Sequence, residues 1–146
     1  MTSVLVTGSK YKFIPPHESR FWPTVLGRFV PQYLKRKCGI SDVEIRSAEK
    51  LSSLLKAGHG IVLAPNHCRM SDAILLQRLA RYVRTPFFVM ASAHLFRGSR
   101  SMSWLLRRLG AFSVYREGID RQAVQKGIEI LTEGKRPLVL FPEGAL

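Results

Sequence analysis

The chain has 146 residues, 46% hydrophobic and 23% charged, which suits one globular domain with a real core but not two. Lysine and arginine number 23 against 10 acidic residues, a formal net charge of +13, and a surplus of that size predicts attraction to polyanions: anionic lipid headgroups, phosphorylated substrates or nucleic acid. A spanning helix is excluded, because no run of about 18 apolar residues occurs. The N-terminus shows no charged region followed by an apolar core, so no signal peptide is expected. Cys38 and Cys68 are too few for a disulfide framework, and a reducing cytosolic setting is the simplest reading.

In chain order, residues 1–20 carry Pro15-Pro16 and read as an irregular lead-in. Residues 21–37 read as an amphipathic helical segment. Val25, Phe29 and Tyr33 recur at helical spacing with Leu26, Val30 and Leu34 beside them, and Lys35-Arg36-Lys37 close the stretch. Pro31 must kink or break any helix there. Such an aromatic, basic segment can lie in a bilayer interface or pack on the domain's own core. A short strand is expected at 43–46 and a short helix at 49–56, stopped by Gly58 and Gly60. The unalternating run at 61–64 predicts a strand covered on both faces.

Further on, residues 73–82 predict a helix with Ile74, Leu75, Leu79 and Val83 inward and Gln77, Arg78 and Arg81 outward. A strand is expected at 86–91. The next helix, at 101–109, bears Trp104, for which a core position is the simpler reading. A strand follows at 111–115. Asp120 can cap a helix running to about Glu133, with Val124, Ile128 and Leu131 at helical spacing and Gly134 as its stop. A last strand is expected at 138–141. This alternation predicts an α/β fold: a mostly parallel central sheet covered by helices. Residues 1–40 form the lead-in and amphipathic segment, and 41–146 the α/β domain. The chain ends at Leu146, directly after a strand, which implies that the C-terminal part of that domain is missing.

Three blocks fall at the ends of expected strands. The first is Asn66-His67-Cys68-Arg69-Met70-Ser71-Asp72. A histidine and an aspartate five positions apart lie about 140° apart on a regular helix. They meet only if His67 stays in the turn and Asp72 folds back from the first helical turn. That is the geometry of a general base held by a carboxylate, and a histidine side chain ordinarily titrates near pH ~6.5. Cys68 beside it suggests a thiol nucleophile, a reading set aside because adjacent side chains in a turn diverge. The second block is Gly110-Ala111-Phe112-Ser113-Val114-Tyr115-Arg116, in which Gly110 allows a tight approach to the strand. The third is Phe141-Pro142-Glu143-Gly144, an unusual backbone where α/β proteins place their sites. His17, His59 and His94 have no partners at metal-ligand spacing, so no metal is expected.

These blocks, in this order, resemble the glycerolipid acyltransferase family of lysophosphatidic acid and glycerol-3-phosphate acyltransferases. That family carries N-H-x-x-x-x-D, then a glycine-to-arginine block, then F-P-E-G, usually continued by Thr-Arg. The resemblance runs from about Val43 to the end of the chain. It implies the glycerol-3-phosphate acyltransferase-like fold, with an N-terminal helical element that helps place the enzyme on a membrane. It implies transfer of a fatty acyl group from acyl-CoA or acyl carrier protein to the hydroxyl of a lysophospholipid acid, in phospholipid biosynthesis. His67 would be the general base, Asp72 its orienting carboxylate, Arg116 the phosphate contact, and Glu143 with Gly144 the acceptor-binding turn. The acyl thioester is a substrate, so no cofactor is implied. The partners implied are the lysophospholipid, the thioester donor and an anionic membrane surface on the cytoplasmic side, with no nucleic acid. Two departures stand out: Arg69, where many relatives have a small hydroxyl residue, and Ala145-Leu146 in place of Thr-Arg. A non-catalytic basic binding module and an inactive family member are the alternatives.

Overall fold

A computed structural model describes residues 11–69 and 71–142 of the chain. Four parallel strands form the centre: β1 (Val62–Leu63), β2 (Phe88–Ser92), β3 (Ala111–Val114) and β4 (Leu138–Val139). Their order in space is β1-β4-β2-β3, with Val62 opposite Leu138, Phe88 opposite Leu138, and Val89 opposite Ala111. Seven helices surround them among the described residues: α1 (Phe21–Gly27), α2 (Val30–Cys38), α3 (Ala48–Lys56), α4 (Asp72–Tyr82), α5 (Ala93–Arg97), α6 (Arg100–Arg108) and α7 (Arg121–Glu133). The α/β class and the parallel sheet are as the alternation predicts.

Strand side chains alternate between faces. Phe87, Val89, Ala111 and Val139 pack with Ala80, Phe96, Leu76 and Leu106 on one face. Phe88, Phe112 and Leu138 pack with Ala123 and Ile130 on the other. Phe87 and Phe112 are fully buried, and burial of each is worth a few kcal/mol, about 3–5 by truncation to alanine. The described part of the lead-in, residues 11–20, has no helix or strand, yet it covers the outer edge of β3. Ile14 O accepts from Ser113 N at 3.0 Å, and the Ser113 hydroxyl bonds both Ile14 N and the Tyr11 hydroxyl at 2.8 Å. A sheet edge covered in this way offers no template for pairing with another chain.

Several expectations are corrected. The segment 21–37 is two helices broken at Arg28-Phe29 rather than at Pro31. Pro31 sits in the first turn of α2, where its missing N–H has no partner to lose. Val30 and Leu34 are the buried stripe, while Phe29 and Tyr33 face outward. Residues 43–46 form no strand. Exposed Glu44 and Arg46 pair with each other there instead. β1 is an edge strand with Val62 exposed, not one covered on both faces. Gln77 is buried, because α1 packs across that face of α4. On α7 the buried face is Ala123, Gly127 and Ile130, with Val124 and Ile128 exposed, one position off the expected stripe. The short helix α5 was not expected. Trp104 lies on the surface, its ring 4.0 Å from the Arg108 guanidinium.

The ends of the strands remote from the C-terminal edge are tied by Arg136. It is 6% exposed and donates to the carbonyls of Pro86 (2.9 Å), Glu18 (3.1 Å) and Phe87 (3.3 Å). Burial pulls its guanidinium down to about 10, with Arg20 acting in the same sense. Gly110 turns into β3 beside it at φ +91°, where a Cβ would stand 2.5 Å from Phe87 O. Only glycine fits that approach.

Candidate active site

Because all four strands are parallel, their C-terminal ends lie on one edge of the sheet. The loops after β1, β4 and β3 therefore open on the same side. β1 and β4 are neighbours, and the chain stays paired just past them, with Leu140 N donating to Leu63 O at 3.0 Å. The first and third blocks are thus brought together. The His67 ring packs on the Phe141 ring with centroids 4.2 Å apart.

His67 stays in the turn and Asp72 opens α4, as the five-residue spacing requires. The Asp72 Oδ2 atom is the centre of the turn. It accepts from the backbone N–H groups of Cys68 and Arg69, each at 2.7 Å, and lies 3.4 Å from His67 Nδ1. Both side chains are mostly covered, 19% and 17% exposed. Burial pushes the Asp72 carboxyl up, but the Arg69 and Cys68 N–H donors and His67 together outweigh it and hold the group below its ordinary value. An ionised carboxylate only accepts hydrogen bonds. Its contact with Nδ1 therefore calls for the tautomer with the proton on Nδ1 and the lone pair on Nε2. The 3.4 Å separation is longer than an ordinary hydrogen bond. Such contacts commonly tighten when substrate binds.

Arg116 lies in the loop after β3, exposed to solvent. That loop is held by Asp120, whose carboxylate accepts from Tyr115 N at 2.9 Å and from Ala123 N at 3.0 Å, the latter capping α7. Burial raises the Asp120 carboxyl, and these donors with Tyr11 bring it below its ordinary value. β3 is three strand positions from β1, about 14 Å at the usual spacing. His67 and Arg116 therefore flank the same edge without touching. Glu143 and Gly144 lie outside the described residues.

Sequence reasoning missed two features of this edge. The backbone N–H groups of Cys68 and Arg69 are partners of the site carboxylate, whatever their side chains. Ser92 ends β2, between the His67 and Arg116 strands, and its hydroxyl is buried with no hydrogen-bond partner among the described residues. No residue pattern marks either one. An arrangement of an imidazole, a carboxylate beside its Nδ1 and a cation across the same strand edge suits deprotonation of a hydroxyl near an anionic group.

The family described as acyltransferase matches residues 42–146. Over 59 residues the chain is 36% identical to the 1-acyl-sn-glycerol-3-phosphate acyltransferase of Streptococcus pneumoniae (strain ATCC BAA-255 / R6), covering 40% of this chain and 22% of that protein. The matched stretch is thus about a fifth of the relative's length. No solved structure matches the chain.

Proposed function

This chain belongs to the acyltransferase family, and from that premise we propose that it moves a fatty acyl group from an acyl thioester, acyl-CoA or acyl carrier protein, to the free hydroxyl of a lysophospholipid acid such as 1-acylglycerol-3-phosphate. The observation that carries this reading is the His67–Asp72 pair at the end of β1, packed on Phe141 of the neighbouring strand end.

In this reading His67 Nε2 takes the acceptor's hydroxyl proton while the oxygen attacks the thioester carbonyl. The C–S bond then breaks, and the thiolate recovers the proton from the imidazolium. The acceptor is itself the nucleophile, so no acyl-enzyme forms and Cys68 has no covalent role. Asp72 fixes the tautomer and steadies the imidazolium. Arg116 holds the acceptor phosphate through its planar donor fork. Glu143 and Gly144 shape the acceptor turn. The donor is a substrate, and the mechanism uses no cofactor and no metal. The family and the relative's name support the reaction class and its place in phospholipid synthesis; the acceptor's identity rests on this reading alone.

The substrate is a lipid, and we assign the protein to the surface of an anionic membrane on its cytoplasmic side. Among the described residues no helix is long and apolar enough to cross a bilayer. Supporting contact with a surface, Phe21 and Phe29 are each 63% exposed. Trp22, Trp104 and Arg108 also cluster, the two indole rings edge to face with centroids 5.3 Å apart and the guanidinium over both.

The test is transfer of labelled acyl groups from each donor to a panel of lysophospholipids. His67→Ala lowers the rate by about 10²–10⁴-fold, the usual range for a lost general base. Transfer at the wild-type rate in that variant refutes the assignment of the base. Lipid binding without transfer, for every donor and acceptor, favours the non-catalytic alternative.

A further inference from the structure

A cleft of about 360 Å³ opens between α1 and α4, lined by Thr24, Arg28, Gln77, Arg81, Arg84 and Thr85 among others. It lies at the C-terminal end of α4. Asp72 opens that helix, ten positions before its last residue Tyr82, or about 15 Å at 1.5 Å per residue. The cleft is therefore separate from the His67 edge.

Three guanidinium groups surround this space, and none of the described residues lining it is acidic. Arg28, Arg81 and Arg84 form no ion pair among the described residues. Arg81 spends one donor on Gly27 O at 3.3 Å. Helix C-termini do attract cations, and both α1 and α4 end here. Each terminus carries only about half a negative charge, however, so roughly two positive charges remain uncompensated.

Gln77 adds a neutral donor to the same cleft. It is 7% exposed, lines the cleft, and has no hydrogen-bond partner among the described residues. The backbone adds a third sign. Arg84 adopts φ +55° at the turn that closes α4, where Arg84 N bonds Arg81 O and Thr85 N bonds Ala80 O. Glycine usually fills that left-handed position, and Gly39 and Gly134 do so after α2 and α7. Here the strained position holds a cation instead.

We propose that this cleft is a binding site for a phosphate monoester, held by the guanidinium forks of Arg28, Arg81 and Arg84 and by the Gln77 amide N–H. The chemistry is shared by a free phosphate group and by the headgroup of phosphatidate. Planar guanidinium forks suit that anion better than chloride.

The experiment measures thermal melting of the full chain in inorganic phosphate against chloride at matched ionic strength. It also measures binding to vesicles of phosphatidylcholine with and without phosphatidate. Phosphate raises the wild-type melting temperature. Arg28→Gln and Arg84→Gly each weaken the response at least tenfold, and glycine at 84 relieves the left-handed strain, so that variant still folds. Gln77→Leu still melts cooperatively in chloride but loses the phosphate response. Arg116→Gln keeps it, which separates this cleft from the proposed acceptor site. If inorganic phosphate is silent but phosphatidate vesicles bind in a manner that needs Arg28 and Arg84, the headgroup is the occupant. A response that survives Arg28→Gln and Arg84→Gly, or no response to either probe, overturns the proposal.

Discussion

Replacing Asp72 by Asn tests the centre of the proposed site while keeping its shape. The Asn carbonyl can still accept the N–H groups of Cys68 and Arg69, which lie 2.7 Å from the carboxylate oxygen in the native chain. That same oxygen then faces His67 Nδ1, because Oδ2 makes all three contacts in the native chain. The NH₂ group takes the place of Oδ1, so the proton stays on Nδ1. What the substitution removes is the negative charge. At the native 3.4 Å separation, opposite unit charges attract by about 5 kcal/mol at an effective dielectric near 20 and about 1 kcal/mol in bulk water. The two side chains are 19% and 17% exposed, so an intermediate value of about 2–4 kcal/mol applies, or roughly 30- to 1,000-fold in rate. The assay is acyl transfer at saturating donor and acceptor, beside thermal melting of the same preparations. The expected result is a fall in kcat of that size with melting shifted by only a few degrees. An Asp72→Asn protein that transfers within threefold of the native rate refutes the reasoning, since the charge would then not matter.

Gly110→Ala forces a Cβ to within 2.5 Å of Phe87 O at φ +91°. The strain alone is about 1–2 kcal/mol, so melting falls by several degrees or more, and an unchanged melting temperature would show that the turn relaxes freely. Arg136→Met strips three carbonyls of their donor. At about 1 kcal/mol or more for each orphaned acceptor, the melting temperature drops by about 5–15 °C; a shift under two degrees would mean that water replaces the guanidinium. Acid sensitivity follows from Asp72 and Asp120, both held below their ordinary values in the fold. The unfolded chain therefore binds protons first as pH falls, so their contribution is complete above the ordinary carboxylate range, near pH ~4, and lost below it. Asp120→Asn should flatten the melting temperature against pH in that window, and an identical slope would remove Asp120 from the account.

The pattern of residues determined the alternation of strands and helices, the parallel sheet, and the turn that holds His67 and Asp72. Each depends on neighbours a few positions away: unalternating apolar runs, the Asp120 cap, the Gly134 stop, and five-residue spacing across a strand-to-helix turn. Which side of an element faces inward depended on partners far along the chain. Gln77 is buried because α1 lies over it, and α7 turns on Ala123 and Gly127 because the sheet needs a close approach there. The meeting of His67 with Phe141 required β4 to pair beside β1, a contact across 74 residues. The three arginines of the second cleft come together only because α1 and α4 end side by side. Local periodicity records how often a side chain must turn inward, but the chain's long-range pairing sets what it then meets.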